Sequence, residues 1–436
     1  MRSLKIAMSD VFADTLLGAY RLVGRAAVPL LPLALSWRAR RGKEDRARLG
    51  ERFGRAGLSR PPGRLAWIHA ASVGETNAAI PLIERIVEAG FSVVFTSVTV
   101  SSAGIAAARL PRGALHQFAP IDAPPLINRF LDHWRPDFAL FIESELWPTT
   151  IFKLSNAGIP QVLVNARLSE RSFRGWQRFG GVARSVFGRI PLCLAQSGQD
   201  GERYAALGSP RVLVTGNLKF DAPVPDVEAG ALAEFRKAVG TRPVWVAAST
   251  HEGEEVILAD VHRSLCDHFP DLLTIIVPRH PERGDAIRSS LADSGHAVAQ
   301  RSRAEPIDAE TGIYIGDTFG ELGLFYRVAP IAFLGGSLVP HGGQNPIEPV
   351  KLACAVLHGP HVHNFSDIYA AIDGAGTHST IGDGAELTKS LTALFSDPSA
   401  AKRHAEIVAD ALAPFSGTLD ATIAALGPLL GKGSES

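Results

Sequence analysis

The sequence predicts an α/β protein made of two doubly wound, Rossmann-like halves. From residue 65 onward, short apolar runs alternate with segments of helical periodicity, which is typical of buried parallel strands joined by helices. The segment 220–226, which contains two prolines, interrupts this alternation, and the same pattern then restarts. Two halves of similar size predict a ligand site in a cleft between them.

The predicted strands define the domain boundaries. Residues 1–60 form a separate N-terminal segment, 61–220 a first Rossmann-like domain, 221–241 a linker and 242–430 a second Rossmann-like domain. Helices are expected between strands, for example at 76–89 and 124–133. The strands are predicted at 65–70, 92–99, 138–142, 161–165, 192–195 and 212–215 in the first half, and at 244–248, 273–277, 312–315, 331–334 and 355–357 in the second.

The charge of the chain is balanced overall but unevenly distributed. Its 436 residues contain 44 Lys and Arg and 44 Asp and Glu, which argues against a general nucleic-acid-binding protein. Residues 1–60 hold 13 basic against 5 acidic residues, whereas the remaining 376 hold 31 against 39. The three cysteines are far apart and show no zinc or disulfide spacing, which indicates a reducing, cytoplasmic setting.

The N-terminal segment has the pattern of an amphipathic helix followed by a basic run. Asp10, Asp14, Arg21 and Arg25 fall within about 60° of one another on a helical wheel, and most other positions of 11–37 are apolar. The longest uninterrupted apolar stretch, 26–37, is too short to span a bilayer. With the basic run 38–55, this pattern favours a helix in the interface of an anionic cytoplasmic leaflet. The alternative is an ordinary core helix followed by a solvated, charged one.

Several common catalytic signatures are missing from the sequence. There is no GxxxxGK[ST], no GxGxxG after the first strand, no GxSxG and no HExxH. These absences disfavour P-loop hydrolases, nicotinamide or flavin enzymes and the commonest hydrolases. No DxD occurs either, so a tightly held divalent metal is not indicated.

Carboxylates follow two predicted strands of the first half. Ser72-x-x-Glu75 fits a helix capping box, but Glu75 also lies where open α/β sheets bind ligands and could act as a general base. A helix N-terminus weakens such a base, so an apolar cover or a neighbouring carboxylate would have to raise its pKa. Glu143 and Glu145 end another buried strand, where they are costly unless paired or functional; a simple helix N-terminal charge is the alternative.

Polar loops follow four predicted strands of the second half. They lie at 247–253, 277–281, 316–322 and 334–348. Arg279 has the donor geometry to hold a phosphate, and the glycines of the last loop allow close backbone approach before a helix that Asn345 caps. The four loops together predict a nucleotide site.

Taken in order, these motifs resemble the bacterial 3-deoxy-D-manno-octulosonic acid (Kdo) transferases, and the resemblance covers nearly the whole chain. The matching stretches are HAASVGE (69–75), ESELWP (143–148), NARLSERS (165–172), GNLKFD (216–221), STHEGEE (249–255), PRHPER (278–283), GDTFGELG (316–323) and GGSLVPHGGQNPIEP (335–349).

The resemblance implies a GT-B fold and a metal-independent, cofactor-free, inverting glycosyltransferase on the cytoplasmic face of the inner membrane. The donor would be CMP-Kdo and the acceptor the 6'-hydroxyl of a tetraacyl lipid A precursor (lipid IVA). By the family's motifs, Glu75 would be the general base, and Glu145 and Lys219 would assist near the transition state. CMP-Kdo would be bound by Pro278, Arg279, Gly320, Glu321, Leu322, Asn345, Pro346, Ile347 and Glu348.

Two other functions fit parts of the sequence. A nucleotide-sugar epimerase can share the two-domain architecture, but it needs neither the basic amphipathic N-terminus nor the HAASVGE loop. A non-enzymatic membrane scaffold would not need carboxylates at buried strand ends or four polar loops.

Overall fold

The computed structural model describes residues 2–224 and 227–431, with side chains from residue 13 onward except Pro398. Asp10 of the predicted polar stripe therefore lies outside the described side chains, as residues 225–226 of the predicted linker lie outside the described backbone. The chain forms two compact units: residues 1–222 with 415–436, and residues 223–414.

The first unit contains a seven-stranded parallel sheet in the order β3-β2-β1-β4-β5-β6-β7. Its strands are β1 (Leu65–Ala70), β2 (Ser92–Ser97), β3 (Ala114–Phe118), β4 (Phe138–Ile142), β5 (Gln161–Ala166), β6 (Leu192–Ala195) and β7 (Val212–Val214). Its helices are α1 (Arg2–Ala27), α2 (Leu31–Arg40), α3 (Leu49–Arg52), α4 (Val73–Glu88), α5 (Val100–Arg109), α6 (Pro124–Trp134), α7 (Pro148–Asn156), α8 (Glu170–Arg178), α9 (Gly180–Phe187) and α10 (Gly198–Leu207), with α19 (Thr418–Leu430) added from the end of the chain.

Apolar side chains cover both faces of this sheet. Leu65 and Trp67 of β1 pack in one cluster with Phe130 and Phe187, whereas the intervening Ala66 and Ile68 pack in another with helix α4. Because alternate strand residues point to opposite faces, two separate clusters mean that both faces are buried. This explains why the strands appear in the sequence as continuous apolar runs.

The second unit contains a six-stranded parallel sheet in the order β10-β11-β9-β8-β12-β13. Its strands are β8 (Val244–Thr250), β9 (Leu273–Pro278), β10 (Val298–Gln300), β11 (Ile313–Ile315), β12 (Ile331–Leu334) and β13 (Ala355–His358). Its helices are α11 (Ala229–Val239), α12 (Glu254–Cys266), α13 (Gly284–Asp293), α14 (Leu322–Val328), α15 (Ile347–Lys351), α16 (Ser366–Gly374), α17 (Gly384–Ser396) and α18 (Pro398–Leu412).

Two strands, β3 and β10, are not among those predicted. Strand β3 carries His116 and Gln117 in its centre, which break the apolar run; they are bonded to Ser97 and Trp134. Strand β10 has only three residues and ends in Gln300. Both strands lie at the edges of their sheets, where an apolar sequence is not required.

The last helix lies in the first unit, although the sequence predicts it in the second domain at 242–430. Helix α19 belongs to the first unit, where it packs on α4 and buries Leu426 in the same cluster as β1. Its N-terminus is fixed by Asp221, whose carboxylate accepts from Gly417 N at 2.9 Å and Leu419 N at 2.6 Å. The chain therefore returns to the first unit after completing the second, which no local periodicity predicts.

The N-terminal helices lie against the first unit with their apolar side chains mostly exposed. Helix α1 packs on α9 and α6 and buries Ala13 and Leu17. By length and composition Ala13–Arg40 could cross a membrane, yet only 6% of its most apolar window is buried in the protein. A core helix would be mostly buried, so the alternative of an ordinary core helix does not fit this exposure.

We expect Asp221→Ala to loosen α19, because two backbone N–H groups lose their acceptor. The loss of a capping carboxylate costs about 1 kcal/mol. Hydrogen exchange of the α19 amides should accelerate, and chemical unfolding should begin at lower denaturant. The matched control is Asp420→Ala in the same first turn, which removes only an exposed ion pair with Arg85. Equal effects of the two substitutions would contradict the capping role.

Candidate functional site

The first candidate residue, Glu75, lies in the first turn of α4, directly after β1. Ser72 is the N-cap of this helix, and Glu75 N donates to its Oγ at 3.3 Å. In return, the Glu75 carboxylate accepts from the Ser72 hydroxyl at 2.9 Å and from Ala71 N at 2.8 Å. The capping interaction therefore forms, and it holds the carboxylate at the carboxyl end of the sheet.

The adjacent strand β4 places Glu143 beside Lys219. The Lys219 Nζ lies 2.7 Å from Glu143 Oε1, and both side chains are mostly buried. Glu143 has a φ of 61°, in the left-handed region that only a few non-glycine residues adopt. Such backbone strain is concentrated at functional sites.

Glu145 has different partners from Glu143. Its Oε2 accepts from Trp147 Nε1 at 2.7 Å and lies 3.5 Å from His69 Nε2. On the other side of the ring, His69 Nδ1 lies 2.9 Å from Thr96 Oγ1, which itself accepts from Trp67 Nε1 at 2.9 Å. His69 Nδ1 also lies 3.1 Å from the Thr96 carbonyl oxygen, so Thr96 holds this edge of the ring through two contacts.

These surroundings move the pKa values of two carboxyl groups in opposite directions. Burial, and then the charge of Glu143, raise the pKa of Glu75 above its usual value, against the hydrogen bonds from Ala71 and Ser72. Burial also acts to raise the pKa of Glu145, but His69 and Trp147 outweigh it, so this pKa lies below its usual value. Opposite shifts in neighbouring carboxyl groups are the pattern by which proteins separate a proton acceptor from a permanent anion.

Lys219 reaches this edge because its short 3-10 turn, Leu218–Phe220, is fixed at several points. Asn165, at the end of β5, accepts from Leu218 N at 3.0 Å, and Asn217 accepts from Lys219 N at 3.0 Å. Gly216 has a φ of 94° and packs so closely on α19 that a Cβ would lie 2.5 Å from Thr418 Oγ1. The stretch GNLKFD (216–221) therefore positions the Lys219 side chain at this edge of the sheet.

In the second unit, a buried carboxylate holds two of the polar loops together. Glu254 is fully buried, and its oxygens accept from His251 N, Gly336 N, Ser337 N and Leu338 N at 2.7 to 3.1 Å. Gly335 fits here because a Cβ would lie 2.6 Å from Thr250 Cα. The loops after β8 and β12 are thus one rigid structure.

His251 makes a further contact between the same two loops. Its ring stacks on His341 with centroids 4.2 Å apart, and its Nε2 lies 3.1 Å from Gln344 Nε2. Burial, then His341, His280 and Arg279, lower the pKa of His251 to about 4, so it is neutral near pH 7. Arg279 is exposed, and its guanidinium forms no ion pair within the described chain.

The remaining predicted donor-site residues have mixed environments. Glu321 forms a two-point ion pair with Arg301, at 2.9 and 2.6 Å, which lowers the pKa of Glu321. Gly320, with a φ of 82°, precedes it, and Leu322 begins α14. Asn345 accepts from Ile347 N at 3.1 Å, so it turns the chain into the short helix α15, with Pro346 just before it and Glu348 in its first turn. Pro278 is the last residue of β9.

The structure brings the predicted residues together in two groups. Glu75 and Glu145 follow the neighbouring strands β1 and β4. Lys219 joins this group through its ion pair with Glu143. Strands β11, β9, β8 and β12 are neighbours, so the four polar loops of the second unit share one sheet edge. Sequence reasoning gave no separate role to three residues that shape these groups, Glu143, His69 and Glu254. Each lies inside one of the matching stretches, but the spacing of residues within that stretch does not predict which side chains it contacts.

The comparisons by sequence identify the family. Residues 47–222 match the family model described as 3-deoxy-D-manno-octulosonic-acid transferase. The chain is 38% identical to the 3-deoxy-D-manno-octulosonic acid transferase of Haemophilus influenzae, over 74% of this chain and 77% of that protein. It is 35% identical to the Bordetella pertussis enzyme, over 95% and 99% respectively. A probable mitochondrial enzyme of this name from Arabidopsis thaliana is 37% identical over 88% and 89%.

Solved structures with similar folds are more distant in sequence. A putative UDP-N-acetylglucosamine 2-epimerase from Listeria monocytogenes superposes with a TM-score of 0.58 at 14% identity, covering 85% of this chain and 98% of that one. A glycosyltransferase from Rickettsia africae gives 0.59 at 13%, covering 85% and 100%. These likenesses show the fold alone.

Two parallel-sheet α/β units of this kind define a GT-B-type protein, an architecture found in both a glycosyltransferase and epimerases. The sequence relatives decide between these enzyme classes. The chain belongs to the Kdo transferase family, and it is a glycosyltransferase of lipopolysaccharide synthesis.

We expect Glu143→Gln to shift the pH profile of this glycosyltransferase. Removing the Glu143 charge lowers the pKa of Glu75, so a reaction that needs Glu75 ionised should keep its activity to lower pH. The acidic limb of kcat/KM against pH should move down the pH scale. Glu84→Gln, an exposed carboxylate on the same helix α4, is the matched control and should leave the limb in place. An acidic limb that does not move in Glu143→Gln would rule out this coupling.

Proposed function

We propose that this chain transfers Kdo from CMP-Kdo to the 6'-hydroxyl of a tetraacyl lipid A precursor, lipid IVA, with inversion at the anomeric carbon. Glu75 is the general base. The acceptor oxygen attacks the anomeric carbon as its proton passes to the Glu75 carboxylate, and the bond to the CMP phosphate breaks. CMP leaves with the electron pair of that bond.

One observation carries this proposal: the raised pKa of Glu75 at the carboxyl end of β1. A base with a pKa closer to the working pH accepts a proton more readily in the transition state. Each Glu75 oxygen accepts one hydrogen bond within the protein. Since a carboxylate oxygen can accept two, each retains capacity for an acceptor hydroxyl.

Lys219 and Glu145 are proposed to act near the transition state, as the family's motifs imply. Lys219 is a cation held by Glu143 within the same group of strand ends. Glu145 is kept ionised by His69 and Trp147, so it contributes a fixed negative charge. Fixed charges that need no reorganisation are the most effective electrostatic contribution to catalysis.

The donor is proposed to bind in the second unit. Pro278 and Arg279, the segment 320–322 and the segment 345–348 would hold CMP. The exposed Arg279 guanidinium supports a phosphate contact, because Arg presents a planar fork of donors and, among the described residues, Arg279 has no carboxylate partner. The charge of the leaving CMP is then stabilised by the protein's own groups, without a metal ion.

The N-terminal helices are proposed to hold the enzyme at the cytoplasmic face of the inner membrane. Leu30 is 65% and Leu33 is 74% exposed, and the basic run 38–55 follows directly. Exposed apolar side chains next to Arg residues are the composition of an interfacial anchor. Because α1 also packs on α9 and α6, we place this segment along the membrane surface and not across the bilayer.

We expect Glu75→Gln to abolish transfer while CMP binding is retained. The amide is isosteric but cannot accept a proton, so kcat should fall by about 10²–10⁴-fold. Kdo transfer to lipid IVA is measured by mass spectrometry of the product, and CMP binding by calorimetry.

Ser72→Ala is the control that separates catalysis from capping. It removes a capping hydrogen bond and leaves the Glu75 carboxylate in place. A loss of activity in Ser72→Ala as large as in Glu75→Gln would assign Glu75 a purely structural role. Normal turnover in Glu75→Gln would exclude it as the base.

We expect the double substitution Leu30→Ser and Leu33→Ser to weaken membrane binding by about tenfold or more, because two leucines no longer enter the bilayer. The measurement is co-sedimentation with phosphatidylglycerol-containing vesicles. Leu58→Ser with Ile407→Ser is a matched pair of exposed apolar residues outside the N-terminal helices. Equal losses in both pairs would contradict the proposed anchor.

A further inference from the structure

An open pocket of about 380 Å³ lies where helix α1 meets α7 and the start of α6. Arg21 and Arg25 of α1 and Lys153 of α7 contribute its cations, and Thr149 and Asn156 contribute polar groups. All of these residues belong to the first unit. The residues proposed above for the donor and for the transfer chemistry do not line this pocket.

The pocket is positively charged, and its cations are not neutralised. None of its lining residues is acidic. Arg25 and Lys153 form no ion pair in the described part of the chain. Arg21 donates through Nε to Leu17 O at 3.0 Å and lies over the Phe152 ring at 5.0 Å, contacts that fix its position and leave its charge in place.

Two carboxylates of the first unit, Asp122 and Asp14, interact with other groups. Asp122 accepts from Tyr20 Oη, Thr149 N, Thr150 N and Thr150 Oγ1 at 2.7 to 3.0 Å. Burial lowers the pKa of Arg189, and the charge of Asp14 acts against this shift, so Asp14 interacts with Arg189. Three cations therefore line a cavity whose described lining holds no acidic residue, which is the chemistry of an anion site.

The rim of this pocket is apolar and exposed. Leu22, which lines the pocket, and the adjoining Val23 are each 67% exposed. Both lie on the helix that precedes the exposed Leu30 and Leu33. A ligand that matches a cationic pocket and an apolar rim carries an anionic group next to hydrocarbon.

We infer that this pocket binds the phosphate group of an anionic lipid of the membrane on which α1 and α2 rest. The phosphate contacts Arg21, Arg25 and Lys153, and the lipid chain runs along Leu22. This inference rests on the proposed membrane association, and it gives that association a specific lipid site in addition to its general electrostatic attraction.

The test compares two double variants that remove equal charge. Arg25→Gln with Lys153→Gln alters the pocket, whereas Arg40→Gln with Lys43→Gln alters exposed basic residues outside it. Each full-length protein is co-sedimented with phosphatidylcholine vesicles with and without phosphatidic acid, at low and at high salt. Thermal unfolding verifies that both variants are folded.

We expect the pocket pair to lose about tenfold more affinity for phosphatidic acid vesicles than the control pair, because charge-assisted hydrogen bonds are lost in addition to long-range attraction. This difference should persist at high salt, where attraction between exposed charges is screened. The charge-preserving exchange Arg25→Lys with Lys153→Arg should restore most of the binding. Equal losses in the pocket and control pairs at both salt concentrations would overturn the inference.

A competition experiment distinguishes binding of a lipid phosphate from binding of free inorganic phosphate. Inorganic phosphate at millimolar concentration should not displace the protein from the vesicles, because it lacks the hydrocarbon that contacts Leu22. Displacement by inorganic phosphate would assign the pocket to a soluble anion. Wild-type protein that binds no vesicles would overturn the membrane proposal as well, whereas vesicle binding without Kdo transfer would overturn only the proposed reaction.

Discussion

Three carboxylates share one partly buried edge of the first sheet, where burial and the charges of neighbouring carboxylates disfavour the ionised form of Glu75. Glu143 is compensated by the Lys219 ammonium, and Glu145 by His69 and the Trp147 N–H. Glu75 receives only neutral donors, from Ser72 and Ala71. Burial, and then the charge of Glu143, raise the pKa of Glu75 above its usual value, and the two neutral donors do not offset this rise. This distribution of partners supports the proposal that Glu75 is the proton acceptor.

The second unit uses a buried carboxylate for a different purpose. Glu254 accepts four backbone N–H groups from two loops, so its charge is fully compensated by hydrogen bonds and serves to fix loop geometry. His251, on one of those loops, is neutral and stacked on His341. Arg279 is exposed beside these loops. A rigid loop set around one exposed arginine is suited to hold a phosphate in a fixed position.

The periodicity of the sequence predicts most of the fold, because buried parallel strands are apolar on both faces. It misses β3 and β10, whose polar residues break the apolar run and bond to residues outside their own strands, and it cannot foresee that α19 returns to the first unit. In the candidate site, spacing predicts that Ser72 and Glu75 form a cap, and the motif predicts a base. The structure makes the cap, and its hydrogen bonds are compatible with the proposed base. The bond between Lys219 and Glu143 depends on side-chain direction across 76 positions, which the sequence does not encode.

Side-chain direction also matters in the N-terminal helix. In the sequence alone, its charged residues argue against its use as a membrane anchor. In a soluble amphipathic helix the apolar stripe faces the protein and the charged stripe faces water. Helix α1 departs from this arrangement: Arg21 lies over Phe152 and Asp14 lies near Arg189, whereas Leu22 and Val23 are exposed. Charges that face the protein do not have to enter the bilayer, so they do not oppose insertion of the apolar face. Arg21, which interrupts the apolar sequence, is therefore compatible with a membrane surface, because the helix directs it toward Phe152 of its own unit.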